Sequence, residues 1–138
     1  FYQINANNNS TGSSMYEEQT DFPRKKIELP LRKLDSVLQD YPSRKFSLAK
    51  IDVQGAELDV LRGGNRLLQE AEFIIMELSL MNYNRSAPLL AEVIAYMDAN
   101  GFAAVDIFEA KRDSKDQLVQ IDYSFIRKNS PFTPKLSI

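Results

Sequence analysis

Three carboxylates stand at the ends of predicted strands or helices, where chemistry is most often found. Asp52 lies near the end of the apolar run 46–53. Glu77 is the only charged residue in the apolar run 73–80, and Glu57 opens a helical pattern after a glycine turn. In an open parallel sheet, ligands bind outside the carboxyl ends of the strands, so we expect Asp52 and Glu77 to border one cleft. A carboxylate there can orient a hydroxyl, accept its proton or face a positive charge.

Each of these side chains also has a structural explanation. Asp52 can bond the backbone amides of the following turn, and Glu57 can complement the positive end of its helix. Glu77 can be a buried group held by hydrogen bonds, because an unpaired buried carboxylate is costly. Tyr83, in the loop after the second strand, is a further candidate for contacting a substrate. Strand alternation puts Lys50 on the same face as Asp52, which permits a contact, although we favour a structural ion pair for this lysine.

The composition excludes several classes of site. The 138 residues contain no histidine and no cysteine, so zinc sites of the usual kind, thiol chemistry and Ser-His-Asp triads are excluded. Proton transfer therefore falls to Asp, Glu, Lys, Tyr or water, and no metal is predicted. A net charge of −2 gives no nucleic-acid footprint. No apolar run approaches the ~18 residues of a membrane span and no signal peptide is visible, so we expect no membrane partner and a cytoplasmic location.

Alternating strand and helix patterns predict a single α/β domain with a polar loop region at 1–23, a core at 24–128 and a tail at 129–138. In chain order the predicted elements are a strand at 25–29, a helix at 31–38 that stops before Pro42, a strand at 46–53, a helix from Glu57 to Gly63-Gly64, a helical turn at 65–70, a strand at 73–78, a helix at 90–97 that ends at Asn100-Gly101, and strands at 102–109 and 118–127. Such alternation implies parallel strands with crossover connections. The short polar loop 111–117 makes the last two strands antiparallel neighbours, so the sheet is mixed.

Two local expectations refine this outline. The continuous apolar run 73–78 is typical of a strand covered on both faces. The glycine pair Gly63-Gly64 is expected to end its helix in the left-handed conformation, which glycine adopts without steric penalty.

The stretch around Asp52 resembles the FkbM-type methyltransferases, which are S-adenosylmethionine-dependent enzymes with a Rossmann-like class I methyltransferase fold. The positions that match the family motif are Lys50, Ile51, Asp52, Val53, Gln54, Gly55, Glu57, Val60, Leu61 and Gly63. Further similarity lies at 34–38, 74–77 and 122–125, and in the serine pair Ser13-Ser14. The resemblance covers nearly the whole chain, from about Phe1 to Lys128.

The resemblance implies transfer of a methyl group from S-adenosylmethionine to a hydroxyl on a small molecule or sugar. Asp52 would be the catalytic residue facing the reacting methyl group, and Asp52, Val53 and Gln54 would contact the cofactor. Glu57, Glu77 and Tyr83 are then expected to line the substrate pocket.

The chain also departs from the family pattern. It contains no Gly-x-Gly sequence, and it opens at Phe1 within a strand-like pattern and without an initiator methionine. We therefore expect the C-terminal portion of the family fold, without the glycine-rich cofactor motif. The alternative is a non-catalytic α/β association module. Its strand 46–53 would lie at an exposed sheet edge, which favours a homodimer or pairing with a separate N-terminal half.

Overall fold

The computed structural model describes residues 1–4, 12–19, 23–82 and 84–134. Within these ranges the chain forms strands and helices in the alternating order that the sequence predicts. The elements are β1 (Tyr2–Ile4), β2 (Arg24–Lys26), α1 (Leu34–Leu38), β3 (Leu48–Ile51), α2 (Glu57–Arg62), α3 (Asn65–Glu70), β4 (Phe73–Ser79), α4 (Leu90–Ala99), β5 (Phe102–Arg112) and β6 (Leu118–Arg127). No helix in the described part of the chain is long and apolar enough to cross a membrane.

The main sheet has four strands in the order β3-β4-β6-β5. β3 and β4 are parallel, with Ile51 opposite Met76, whereas β6 runs antiparallel to both β4 and β5. This arrangement confirms the mixed sheet and its terminal antiparallel hairpin. It also leaves β3 at one edge of the sheet, as the sequence predicts. β1 and β2 form a separate antiparallel pair.

The core lies against one face of β4. Ile74, Met76 and Leu78 are each at most 1% exposed, and they pack with apolar residues of the helices. On the other face, Phe73 and Ile75 are only half-buried. The ring of Phe132 in the tail packs on Phe73 at 6.0 Å between centroids. The prediction that β4 is covered on both faces is therefore correct for one face and only partly so for the other among the described residues.

β3 is shorter than the predicted strand at 46–53. Its ladder starts where Ser47 accepts backbone hydrogen bonds from β4 and ends after Ile51. Beyond that point the N–H of Val53 donates to the Glu57 carboxylate at 3.2 Å. Asp52 therefore lies directly after β3, between the end of the ladder and a residue held by Glu57.

α1 also begins later than predicted, at Leu34. The backbone at Lys33 is extended (ψ 143°), and Leu31 is 82% exposed instead of joining the helical stripe. Asp35 anchors the short helix: its N–H donates to the carbonyl of Gly63 at 2.8 Å, and its carboxylate accepts the N–H groups at the start of α3. These contacts dock α1 on the junction between α2 and α3, which is consistent with a short helix that begins only at Leu34.

The glycine pair between α2 and α3 is not left-handed, contrary to prediction. Gly63 has φ −89° and Gly64 has φ −129°. A Cβ atom at Gly64 would lie 2.8 Å from Cδ2 of Leu34 and 3.2 Å from the carbonyl oxygen of Val60. Glycine fits at position 64 because α1 packs closely there. Its φ is an angle that other residues also adopt, so the backbone conformation does not call for glycine.

The terminal hairpin begins with a strand longer than predicted. β5 extends to Arg112, and β6 has the predicted bounds. The intervening loop closes when the Asp113 carboxylate accepts the N–H groups of Lys115 and Gln117 at 2.8 and 2.9 Å. This extension keeps Lys111 on the sheet instead of in a loop.

Candidate active site

A tight turn follows β3, and two residues of it adopt left-handed backbone angles. Gln54 has φ 53° and Gly55 has φ 100°. A Cβ atom at Gly55 would lie 2.8 Å from the Cβ of Ala87, so only glycine fits there. The left-handed conformation is uncommon for a residue such as Gln54, and it persists where the surroundings hold it.

Two side chains hold the turn from outside. Ser14 Oγ donates to the carbonyl oxygen of Gln54 at 2.7 Å, and Asn84 Nδ2 donates to the same oxygen at 2.8 Å. Both side chains are buried. Residues far apart in the sequence therefore converge on the peptide between Gln54 and Gly55.

Glu57 holds the turn from inside. Its Oε1 accepts the N–H groups of Val53 and Gly55 at 3.2 and 3.1 Å, and the residue is 3% exposed. Burial raises the pKa of the Glu57 carboxyl, although the backbone hydrogen bonds oppose that rise. These contacts explain the glutamate as part of the turn, and its role in lining a substrate pocket stays a prediction.

Asp52 is exposed, directly after the end of β3. Its Oδ1 accepts a hydrogen bond from Gln54 Nε2 at 3.1 Å. The expected structural alternative, in which Asp52 binds the amides of the following turn, is wrong for Val53 and Gly55, because these amides donate to Glu57. The possible contact with Lys50 is not formed either.

Lys50 instead pairs with Asp122 on β6, with 3.4 Å between Nζ and Oδ2. The Asp122 side chain is 12% exposed and the Lys50 side chain 56% exposed. The ion pair therefore joins strands on either side of β4, which agrees with the structural role that we favoured for this lysine.

The side-chain amide of Gln54 joins Asp52 to Glu77. Its Nε2 lies 2.9 Å from Glu77 Oε1 and 3.1 Å from Asp52 Oδ1. The two carboxylates that the sequence places at adjacent strand ends are therefore neighbours, separated by a single amide.

Glu77 is 5% exposed and has three side-chain partners. Besides Gln54, it accepts a hydrogen bond from Gln120 Nε2 at 3.0 Å and forms an ion pair with Lys111. The hydrogen bond from Lys111 to Glu77 raises the pKa of the lysine. Both oxygens of this buried carboxylate therefore have partners, as a buried polar group requires.

Several residues of this cluster were not singled out as site residues from the sequence. Gln120 lies between Val119 and Ile121 in the predicted strand 118–127, and this alternation of apolar and polar residues is the signal that points to a polar face and to its contact with Glu77. Lys111 was assigned to a loop, and the sequence carries no local signal for its pairing. Tyr83 lies outside the described residues. Across the ranges that are described, no group of three or more acidic side chains is placed to hold a metal ion.

A groove of about 580 Å³ runs along the open edge of β3. Its walls are mostly apolar and include Leu34, Phe46 and Val60, while Asp52 and Val53 lie at the end of the strand. An apolar ligand group would match these walls, and the exposed carboxylate of Asp52 would attract a positive charge, while Lys50, which also lines the groove, is paired with Asp122.

Comparison with known proteins agrees with this description. The sequence model of the family described as "Methyltransferase FkbM domain" matches residues 1–104. No curated protein and no solved structure gives a significant match. The match includes the turn after β3, α2, α3 and β4, and it ends before Lys111. The chain therefore belongs to the FkbM methyltransferase domain family.

Proposed function

We propose that the protein transfers a methyl group from S-adenosylmethionine to a hydroxyl on a small molecule or sugar, with Asp52 as the residue that faces the reacting atoms. The observation that carries this proposal is the exposed carboxylate of Asp52 at the carboxyl end of β3, in a chain of a methyltransferase family. This is the end of a parallel strand where α/β proteins bind ligands.

We further infer that the fold is the C-terminal portion of a Rossmann-like class I methyltransferase. The parallel pair β3–β4, its helical crossover and the closing antiparallel hairpin support this assignment. The open edge of β3 is where a further parallel strand would continue the sheet.

The groove along β3 has the chemistry to form one wall of a cofactor site. Asp52 and Val53, which line the groove, and Gln54, which follows them in the turn, are the residues that would hold S-adenosylmethionine there. When bound, this cofactor supplies an electrophilic methyl group on a positively charged sulfur. The apolar walls suit its uncharged parts, and the carboxylate of Asp52 suits its positive charge.

Asp52 is arranged to act on the acceptor. Gln54 holds Oδ1, whereas Oδ2 has no hydrogen-bond partner among the described residues. The second oxygen can therefore accept the proton of an acceptor hydroxyl or orient that hydroxyl for attack. Positioned proton transfer of this kind contributes roughly 10²- to 10⁴-fold to enzymatic rates. Glu77, Glu57 and Tyr83 are proposed to border the acceptor.

Methyl-labelled S-adenosylmethionine tests this proposal with the complete natural protein. Isothermal titration first measures cofactor binding, and a panel of sugars and hydroxylated metabolites then serves as acceptors. We expect micromolar binding and a labelled methyl ether. A labelled amine or carbon-methylated product would contradict transfer to oxygen, and absence of cofactor binding would contradict the methyltransferase assignment.

An association module remains the second candidate function, because β3 is an edge strand with a largely apolar groove beside it. Such an edge can pair with a second copy of the chain. In this case light scattering would show a dimer of the chain, and titration would show no cofactor binding. A monomer that binds S-adenosylmethionine would exclude this alternative.

A further inference from the structure

In the terminal hairpin, the ammonium group of Lys111 lies next to Glu77, a buried carboxylate on β4. In the sheet register, Glu77 lies opposite Asp122 and Lys111 lies opposite Gln120. From these positions Lys111 forms its ion pair with Glu77. The family match ends at residue 104, so Lys111 and Gln120 lie outside the matched region. Their contacts are thus a feature of this chain that the family assignment does not supply.

The two side chains of this ion pair differ in their exposure to solvent. The side chain of Glu77 is 4% exposed, and that of Lys111 is 44% exposed. Further acidic groups lie near the pair: Glu109 and Asp122 near Lys111, and Glu57 and Asp52 near Glu77. Asp122 is itself paired with Lys50. Removing one partner of a buried ion pair is strongly destabilising, because the other charge is left uncompensated. Among the described residues, Lys111 is the cation that forms an ion pair with the buried carboxylate of Glu77.

The charge of Glu77 in turn fixes the direction of the Gln54 amide. An ionised carboxylate only accepts hydrogen bonds, so it selects the NH₂ end of the amide. This group has two hydrogens, and its nitrogen lies within bonding distance of Glu77 Oε1 and Asp52 Oδ1. Lys111 bonds Oε2 of the same carboxylate whose Oε1 accepts from Gln54, so a Glu77 side chain that is no longer held by Lys111 can turn away from the amide. Asp52 would then lose a well-placed donor.

We propose that Lys111 is a positioning residue for Asp52, acting through Glu77 and Gln54. The ammonium group of Lys111 holds the carboxylate of Glu77 in place, Glu77 orients the amide of Gln54, and that amide holds Oδ1 of Asp52. The Oδ2 atom is thereby presented to the acceptor hydroxyl in a fixed direction. This inference rests on the role proposed above for Asp52.

The test compares three variants of the complete protein. Lys111→Met removes the cation, Lys111→Arg keeps it, and Lys115→Met is the control, because Lys115 is an exposed lysine in the same hairpin. The measurements are the affinity for S-adenosylmethionine, the KM for the acceptor, kcat and the thermal midpoint.

We expect Lys111→Met to lower kcat by about tenfold to a hundredfold, since small misplacements of a reacting group cost this much. Cofactor affinity should fall by less than kcat does, because Asp52 keeps its negative charge and its place at the end of the groove and loses only the support that directs its Oδ1. Lys111→Arg should restore most of kcat, and Lys115→Met should leave it unchanged. An unchanged kcat in Lys111→Met, or a loss that Lys111→Arg does not repair, would overturn the inference.

Two further variants keep the result interpretable. If Lys111→Met has no cooperative thermal transition, Gln54→Met replaces it, because that variant leaves the Lys111–Glu77 pair in place. Its kcat should fall by a similar factor, and an unchanged value would overturn the inference. Asp52→Asn is assayed in parallel. If Asp52→Asn is fully active the proposed function fails, whereas an inactive Asp52→Asn with a fully active Lys111→Met refutes the role of Lys111 alone.

Discussion

The amide nitrogen of Gln54 lies 2.9 Å from the carboxylate of Glu77, and this contact connects the turn after β3 to the buried strand β4. The same nitrogen holds Asp52 at 3.1 Å. The left-handed backbone at Gln54 directs its side chain between the two acids. The turn after β3 thus ends the strand and also holds the carboxylates of Asp52 and Glu77 next to each other.

The first prediction concerns the fit of Gly55 in this turn. Gly55→Ala combines a positive φ with a Cβ that would meet Ala87 at 2.8 Å. We expect a loss of about 3 kcal/mol in the free energy of unfolding, measured by urea denaturation. Gly101→Ala is the matched control, because Gly101 has φ +84° but open space around it. It should cost only about 1 kcal/mol, and equal losses in the two variants would contradict the packing argument.

A second prediction concerns the acceptor role of Glu57. Glu57→Leu leaves the buried N–H groups of Val53 and Gly55 without their partner, so the free energy of unfolding should fall by about 3 kcal/mol. Glu57→Gln keeps an oxygen at that place and should lose about 1 kcal/mol. The comparison is made by urea denaturation at neutral pH. Equal free energies of unfolding for Glu57→Leu and Glu57→Gln would show that the two hydrogen bonds contribute little to stability.

The pH dependence of Glu57 has a definite sign. Its pKa in the folded state is raised above the ordinary value of 4.5 by burial, so the folded state binds the proton more tightly than the unfolded state. The stabilising contribution is full below pH 4.5 and is lost as the pH rises through the folded pKa. The free energy of unfolding of wild type should therefore fall relative to that of Glu57→Gln as the pH rises through the folded pKa of Glu57. If wild type instead became more stable than Glu57→Gln with rising pH, the assignment would be contradicted.

Tyr16 provides a prediction at alkaline pH. Its hydroxyl donates to Asp59 Oδ2 at 2.6 Å, and this bond to a carboxylate is the main reason why its pKa rises to about 12. Because the folded pKa is higher than the unfolded value of 10.0, the contribution to stability is present below pH 10 and is lost between about pH 10 and 12.

Ultraviolet difference titration of wild type against Tyr16→Phe measures this shift directly. Tyr41→Phe is the control, because Tyr41 is 52% exposed. The ionisation missing from Tyr16→Phe should centre near pH 12. A midpoint near the ordinary value of 10.0 would show that the bond to Asp59 does not persist in solution.

Much of the fold follows from local sequence patterns. The order of the elements and the bounds of β6 are predicted from periodicity and loop length, whereas the edge position of β3 follows from the resemblance to only part of a family fold. The end of β3 is not predicted, because beyond it the N–H of Val53 donates to a side chain from the next helix, Glu57. The conformation of Gly64 is likewise set by its contact with Leu34, which no local pattern reveals.

The candidate site is predictable only in part for a related reason. Parallel strands with adjacent carboxyl ends bring Asp52 and Glu77 together, and this follows from topology. The pairing of Lys111 with Glu77 depends on the register of β5, which has shifts between Ala104 and Asp106, between Ile107 and Glu109 and at Lys111. Each such irregularity changes which side chains share a face, so simple alternation fails along this strand.

Asp52→Asn tests the central claim most directly. The substitution keeps the size of the side chain and removes its charge, and Asp40→Asn is the control because Asp40 forms only an exposed ion pair with Arg32. The measurement is kcat for methyl transfer by the complete protein, with cofactor affinity recorded alongside. We expect Asp52→Asn to lower kcat by about 10²-fold or more, as for loss of a positioned acid or base, and Asp40→Asn to leave it unchanged. Wild-type turnover in Asp52→Asn would contradict the account.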